Sequence, residues 1–285
     1  MGSDKQTESA IYLAMDNQSF FRFCRVFALL CAFFLHPASG MSLTLLLATD
    51  DTPGNPWIMG GGLHFQKDLP GIEIELYRHM AGQLGLELKM VRMPWKRCLF
   101  ELKAGLLDGV FPASFKPERL EIGVFPFKNG KVDQTRKSRD SAYYLYRLKS
   151  SPVTWRDGKF VNLEQMPRPT IGAPLGWSIV EDLRRMNIDV LERPRPIELL
   201  EMLSKGGLAG VACLSTVADV YIVQAPHKLG QIEKVYPPIS EKTYFLMLSH
   251  QFIAAHPVIA EKIWDTIAEF KTGDVFNSIS KRYTD

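Results

Sequence analysis

The sequence predicts a two-lobed α/β protein in which each lobe is a mostly parallel sheet flanked by helices and the chain crosses between the lobes twice. Three observations lead there. From Leu43 onward short apolar strands alternate with amphipathic helices, the pattern of a parallel sheet covered by helices. The alternation stops at Ser150, Ser151 and Pro152 and then begins again, so the chain holds two similar units. A last strand and a long amphipathic helix follow the second unit and are expected to return to the first. Lobe 1 is thus expected over residues 41–145 and 242–285, lobe 2 over 146–241, and the crossovers near 143–150 and 236–244. A ligand would lie between the lobes, outside the carboxyl ends of the strands.

Before the first strand, residues 20–40 read FFRFCRVFALLCAFFLHPASG. Arg22 and Arg25, an apolar run from Val26 to Leu35 and the small residues up to Gly40 make a secretory signal peptide with cleavage expected near Gly40. The run is too short to span a bilayer comfortably. Met15 is the expected start, because residues 1–19 are polar and unpatterned, and Leu30 before Cys31 argues against a lipid anchor. Removing residues 1–40 takes away Lys5, Arg22 and Arg25 together with Asp4, Glu8 and Asp16, so the charge stays at the +3 of the whole chain. The basic residues are scattered, without an aromatic-interleaved stripe, so no nucleic-acid partner is expected.

The elements follow in order. LTLLLAT is a strand. GIEIELYRHMAGQLG is a helix with Ile74, Tyr77, Met80, Ala81 and Leu84 on one face. LELKMVRM alternates as a strand, Pro94 opens the helix WKRCLFELKAG, Gly105 closes it, and DGVFP is the third strand. After AYYLYRLKS the second unit runs RPTIGAP (strand), WSIVEDLRRMN (helix), IDVLE (strand), RPIELLEMLSKGG (helix), GVACL (strand), STVADVYIVQ (helix) and IEKVYP (strand). KTYFLMLS and AHPVIAEKIWDTIAEFKTG close the chain as strand and helix. Cys98 and Cys213, the two cysteines left after export, lie in apolar contexts and are expected to be small buried hydrophobes rather than a disulfide.

Chemistry-bearing residues are few. FPASFKPER at 111–119 leaves the third strand with Arg119, whose planar fork matches a carboxylate; a solvated arginine beside Glu118 or Glu121 fits the spacing as well. Ser114 offers a hydroxyl or forms a turn, and Lys116 and Glu118 read as solvent-facing. The loop ATDDTPGNPW brings Asp50, Asp51 and Trp57 to the same edge, with Trp57 either a ligand wall or a lid over its own core. Gly176, Trp177 and Ser178 sit at a strand-to-helix turn whose free N–H groups could take an anion. Ser215 and Thr216 follow GVACL and could cap the next helix. Glu181, Asp182 and Glu198 read as solvated helix faces. The five histidines left after export form no HExxH or i, i+4 pair, there is no cysteine cluster and no GxSxG, so no metal, no cofactor and no enzyme activity are expected.

PGIEIELYRHMAGQLG, PWKRCLFELKAGLLDGVFPASFKPERLEIGVFP, IGAPLGWS, GVACLSTVADVYI and FKTGDVFNSISKRY together resemble the bacterial extracellular solute-binding proteins of family 3, the periplasmic receptors for polar amino acids and their relatives. The resemblance covers nearly all of the mature chain. It implies the type II periplasmic binding protein fold, hinge closure over a small ligand, and docking on a membrane permease. It assigns the ligand carboxylate to Arg119, with Ser114 near the family's hydroxyl position and Gly176, Trp177 and Ser178 at its second carboxylate site, where Trp177 replaces a hydroxyl. The aspartate that usually takes the α-amino group corresponds to Ser215, so the ligand is expected to be a small organic anion or modified amino acid held between Trp57 and Trp177. A monomer is expected. A membrane sensor is the alternative partner, and a periplasmic dehydratase of prephenate-like acids is the catalytic alternative of the same fold; it would need a cleft carboxylate.

Overall fold

The computed structural model describes residues 42–283. The expected signal peptide, its cleavage region near Gly40, Met15, Cys24 and Cys31 lie outside them. Eight strands form one sheet: β1 (Thr44–Thr49), β2 (Glu87–Arg92), β3 (Gly109–Ser114), β4 (Arg139–Leu148), β5 (Thr170–Pro174), β6 (Asp189–Arg193), β7 (Gly210–Leu214) and β8 (Ile232–Leu248), in the order β6-β5-β7-β4-β8-β3-β1-β2. The first flank is a parallel triplet in which β1 pairs with β2 and β3. The second is a parallel triplet in which β5 pairs with β6 and β7. Between them β4 and β8 run antiparallel to each other and to the neighbouring strands β7 and β3. The protein therefore has the two-lobed α/β fold, with the two crossovers themselves built as the central strands of a continuous sheet.

Sequence patterning explains the first flank. Leu45 and Leu47 of β1 pack in one apolar cluster and Leu46 and Ala48 in the other, so an unbroken apolar run is a strand covered on both faces. Gly109 stands at the start of β3, where a Cβ would come within 2.8 Å of Leu47 Cδ2. Helix α1 (Ile72–Leu84) buries Ile74, Tyr77, Met80 and Ala81 on the expected face and ends on Gly85 in the left-handed conformation. Glu73, in its first turn, is also fully buried. Helix α2 (Trp95–Lys103) follows Pro94 and buries Trp95, Cys98 and Leu102.

On the second flank α3 (Ser178–Arg185), α4 (Pro196–Ser204), α5 (Ser215–Gln224) and the single turn α6 (Pro226–Leu229) alternate with the strands. After β8 come α7 (His250–Ala255), α8 (Pro257–Lys271) and α9 (Asp274–Lys281). These return to the first flank, where α8 packs on α1 and Trp264 Nε1 donates to Leu246 O at 2.9 Å. Cys98 and Cys213 are buried and unbridged. Among the described residues no helix is long and apolar enough to cross a membrane.

The segments IEKVYP and KTYFLMLS, expected as two strands, are one strand of 17 residues, β8. Pro237, Pro238 and Ser240 look like a break because proline has no N–H for a ladder. The strand passes them by shifting register against β4 between Val235 and Ser240, as a bulge allows. Three short hairpins, Gly60–Gly61 with His64–Phe65, Phe127–Lys128 with Lys131–Val132, and Thr154–Arg156 with Lys159–Val161, carry too little alternation to have been expected.

Candidate functional site

A cavity opens where the carboxyl ends of β1 and β3 meet those of β5 and β7. About 460 Å³ of empty space lies there with its open mouth included. That is room for a small ligand.

Its floor is a row across three adjacent strands. Tyr244 of β8 is the register partner of Ser114 in β3 and of Arg139 in β4, and all three residues line the cavity. Tyr143 lies four positions from Arg139 in β4, so it points to the same face. Its hydroxyl oxygen is 3.3 Å from that of Tyr244 and 3.4 Å from Ser178 Oγ. Burial pushes the pKa of both tyrosines up, so the phenols keep their protons and can donate.

Arg119 stands in the 3-10 turn Pro117–Glu121 just beyond β3. Its side chain folds back, Nη1 donating to Ser114 O at 2.8 Å and to Ser114 Oγ at 3.1 Å, with the guanidinium 5.5 Å from the centre of the Trp95 ring. Nη2 reaches Gly176 O at 3.4 Å on the opposite flank. Arg119 is 7% exposed, and every one of these acceptors is a neutral oxygen. Burial lowers its pKa from the ordinary value. Among the described residues no carboxylate stands at ion-pair distance from it.

Arg139 is equally buried, but its Nε donates to Glu73 Oε2 at 3.2 Å. Its guanidinium lies 5.1 Å from the Tyr244 ring centre and 5.6 Å from that of Trp57. Nη1 is buried without a hydrogen-bond partner.

The third charged group on the wall is Asp50. The loop carrying it is fixed by Arg92, which donates to the carbonyl oxygens of Thr52, Met59 and His64 at 2.6, 3.2 and 3.2 Å. Asp50 Oδ1 accepts from Thr52 N at 2.8 Å, and Oδ2 from Trp177 Nε1 at 3.3 Å across the cavity. Burial, against these hydrogen bonds, raises its pKa to about 6. The second flank contributes Trp177, Ser178, Leu214 and Val217, none of them charged.

The structure brings Arg119, Ser114, Asp50, Trp177 and Ser178 to this cavity and leaves Trp57, Gly176 and Ser215 outside its lining. Trp57 packs on the apolar cluster behind β1. Its carbonyl oxygen would lie 2.3 Å from a Cβ at Gly71, which has φ +120°. It is a lid over the core of its own flank. Two of the N–H groups at the β5–α3 turn are in use: Gly176 N donates to Glu192 Oε2 and Trp177 N to Pro174 O. Gly176 itself has φ +73° and lies on the Lys96 side chain. Ser215 does not cap α5. The cap position is Leu214, with no side-chain hydrogen bond, and Leu214 and Val217 face the cavity instead.

Two residues read as solvated are also placed otherwise. Lys116 is 7% exposed and pairs across the flanks with Asp182 at 3.4 Å; Lys242 also reaches Asp182, at 2.6 Å. Glu118 remains exposed, paired with Arg185. Sequence reasoning missed Trp95, Arg139, Tyr143 and Tyr244. The available signal was Arg139 and Tyr143 at an even spacing in a strand-like run, which places a charge on the same face as an aromatic residue.

No family model matches the chain, and no curated protein matches it. Many solved structures do. The GluR0 ligand-binding core from Nostoc punctiforme in complex with L-glutamate is 20% identical over 84% of this chain and 98% of that one, with a TM-score of 0.62. An ancestral arginine-binding protein bound to arginine is 18% identical over 86% and 100%, with a TM-score of 0.64. A histidine kinase sensor domain with similarity to periplasmic binding proteins is 16% identical over 85% and 96%, with a TM-score of 0.65. At these identities the likeness is one of fold: the chain has the two-lobed fold of periplasmic binding proteins.

Proposed function

We propose that this chain is a periplasmic solute-binding protein that captures a small carboxylate-bearing ligand between its lobes and delivers it to a membrane ABC permease. One observation carries the reading: Arg119 is buried on a cavity wall with only neutral partners. A buried charge is costly unless it is paired, and the missing partner of a guanidinium fork is a carboxylate. The lobes are residues 41–145 with 242–285 and residues 146–241, and closure is a hinge motion in the central strands. The register shift of β8 between Val235 and Ser240 supports bending there. The protein acts as a monomer with no cofactor.

Titration calorimetry against a panel of carboxylates, with wild type and Arg119→Ala, tests this. The variant is expected to bind its ligand about 10- to 150-fold more weakly, the range for lost hydrogen bonds to a charged group. A ligand held equally well by both proteins removes the carboxylate clamp.

Two other readings each have an observation on their side. The likeness to a histidine kinase sensor domain supports presentation of the ligand to a membrane sensor, and a neighbouring gene for a sensor kinase in place of a permease would favour it. The Asp50 carboxyl, poised near neutral pH, supports acid–base chemistry. Turnover of a prephenate-like acid that disappears in Asp50→Asn would replace binding by catalysis.

A further inference from the structure

Arg139 is the group on the cavity wall that a single carboxylate at Arg119 does not use. It is 3% exposed, and its pairing with Glu73 occupies the Nε edge. Nη1 is left buried, with no partner among the described residues. A buried guanidinium nitrogen without an acceptor is an exception in folded proteins and calls for one.

The sheet register places the residue that carries this donor. Ser114, whose carbonyl and hydroxyl hold Arg119, and Arg139 are both register partners of Tyr244. Neighbouring strands lie about 4.8 Å apart, so the two backbone positions are about 10 Å apart, with the Tyr244 ring between them. The Tyr143 and Tyr244 hydroxyls stand beside each other in the same lining. The wall facing this floor, Trp177, Ser178, Leu214 and Val217, offers no acid to an ammonium group. Asp50, the one acid in the lining, already accepts from Thr52 and from Trp177.

We infer that the ligand is a small diacid, with one carboxylate on Arg119, the second on Arg139 Nη1, and no ammonium group required. The inference rests on the carboxylate-binding reading of Arg119. Arg139 then bridges two carboxylates: Glu73 behind the floor and the ligand above it. The phenols of Tyr143 and Tyr244 donate to the same ligand, and Trp177 closes over its carbon chain.

The test compares matched acids on the wild-type protein by calorimetry: succinate, glutarate and adipate, the monoacids butyrate, pentanoate and hexanoate, and the amino diacids aspartate and glutamate. One diacid is expected to bind at least tenfold more tightly than the monoacid of equal length, and at least as tightly as its amino counterpart. Equal affinity for diacid and monoacid overturns the second contact, and so does an amino diacid that binds tenfold more tightly than every unsubstituted one.

Arg139→Lys, which keeps the charge beside Glu73, supplies the residue-level readout. It is expected to weaken the diacid about tenfold more than the monoacid, provided its thermal melt stays cooperative. Equal weakening of both acids counts against the assignment. If Arg139→Lys does not fold, the ranking of acids on the wild type decides alone. Arg119→Ala separates the two readings: loss of both monoacid and diacid binding keeps the clamp whatever Arg139 does. Binding of no acid in the panel overturns the diacid assignment.

Discussion

The surroundings of Arg119 and Arg139 make an instructive pair. Both arginines are almost fully buried, both border the same cavity, and both lie near aromatic rings. Arg139 has a fully buried carboxylate, Glu73, on one edge, whereas Arg119 has only Ser114 and Gly176 oxygens. A buried charge with its counter-ion inside the protein holds the architecture together, whatever its free edge also binds. One whose counter-ion is missing belongs to a site. The two should therefore separate when stability and binding are measured on the same variants.

The largest effect is expected from Arg139→Ala, which leaves Glu73 buried and unpaired. Breaking one partner of a buried pair costs about 3–5 kcal/mol, and chemical denaturation of the ligand-free protein should show a loss of that size. The double variant Glu73→Gln with Arg139→Gln should recover a large part of it, since neither charge is then left alone. A single-variant loss below about 1 kcal/mol would erase the distinction between the two arginines.

Arg119→Ala sharpens the contrast from the other side. It removes a charge that the empty protein does not neutralise, so the ligand-free stability should change by about 1 kcal/mol or less, in either direction. A denaturation loss as large as that of Arg139→Ala would mean that Arg119 is structural too.

Asp50 adds a pH axis. Its carboxyl is raised from 3.8 to about 6, so between those values the folded protein holds a proton that the unfolded chain has released. Folding is therefore penalised in full above about pH 6, and the penalty fades as the pH falls toward 3.8. Relative to Asp50→Asn, the wild type should gain of order 2 kcal/mol between pH 7 and pH 4. Parallel profiles for the two proteins would show that the Asp50 carboxyl is not perturbed.

The smallest effect is expected at the rim, where Glu118 and Arg185 pair in solvent. Glu118→Ala should leave the denaturation midpoint close to that of the wild type, and any small difference should vanish in high salt.

How far the sequence carried this picture differs by element. Alternation of strands and helices, the glycine after α1 and the proline before α2 are local signals, and they located most of the sheet. The fusion of the last two strands into β8 was hidden because its prolines read as a stop, and only pairing with β4 on both sides reveals continuity. Arg119 and Ser114 were legible because they leave a strand end together. Trp57 was ambiguous, since a tryptophan in a loop serves a core or a cavity equally well, and its packing on the apolar cluster behind β1 decides the matter. Lys116 and Asp182 were misread because the burial of each depends on the other, 66 positions away in the chain. Arg139 depended on three strands meeting in register, which no linear pattern records.

The place of β8 in the sheet also bears on how the chain is made. It lies between β3 and β4 and pairs with both, yet it is the last of the eight strands to be synthesised. Until residues 232–248 emerge, β3 has no neighbour on its β8 side and β4 none on its own. The nascent chain therefore carries two incomplete sheets with unfilled edges rather than one finished sheet. Such non-local pairing is slow to form, and unpaired edges invite association with other chains. A nascent chain stalled before residue 232 should be sensitive to protease and recruit a holdase, whereas one that has passed residue 248 should become compact across both flanks in one step.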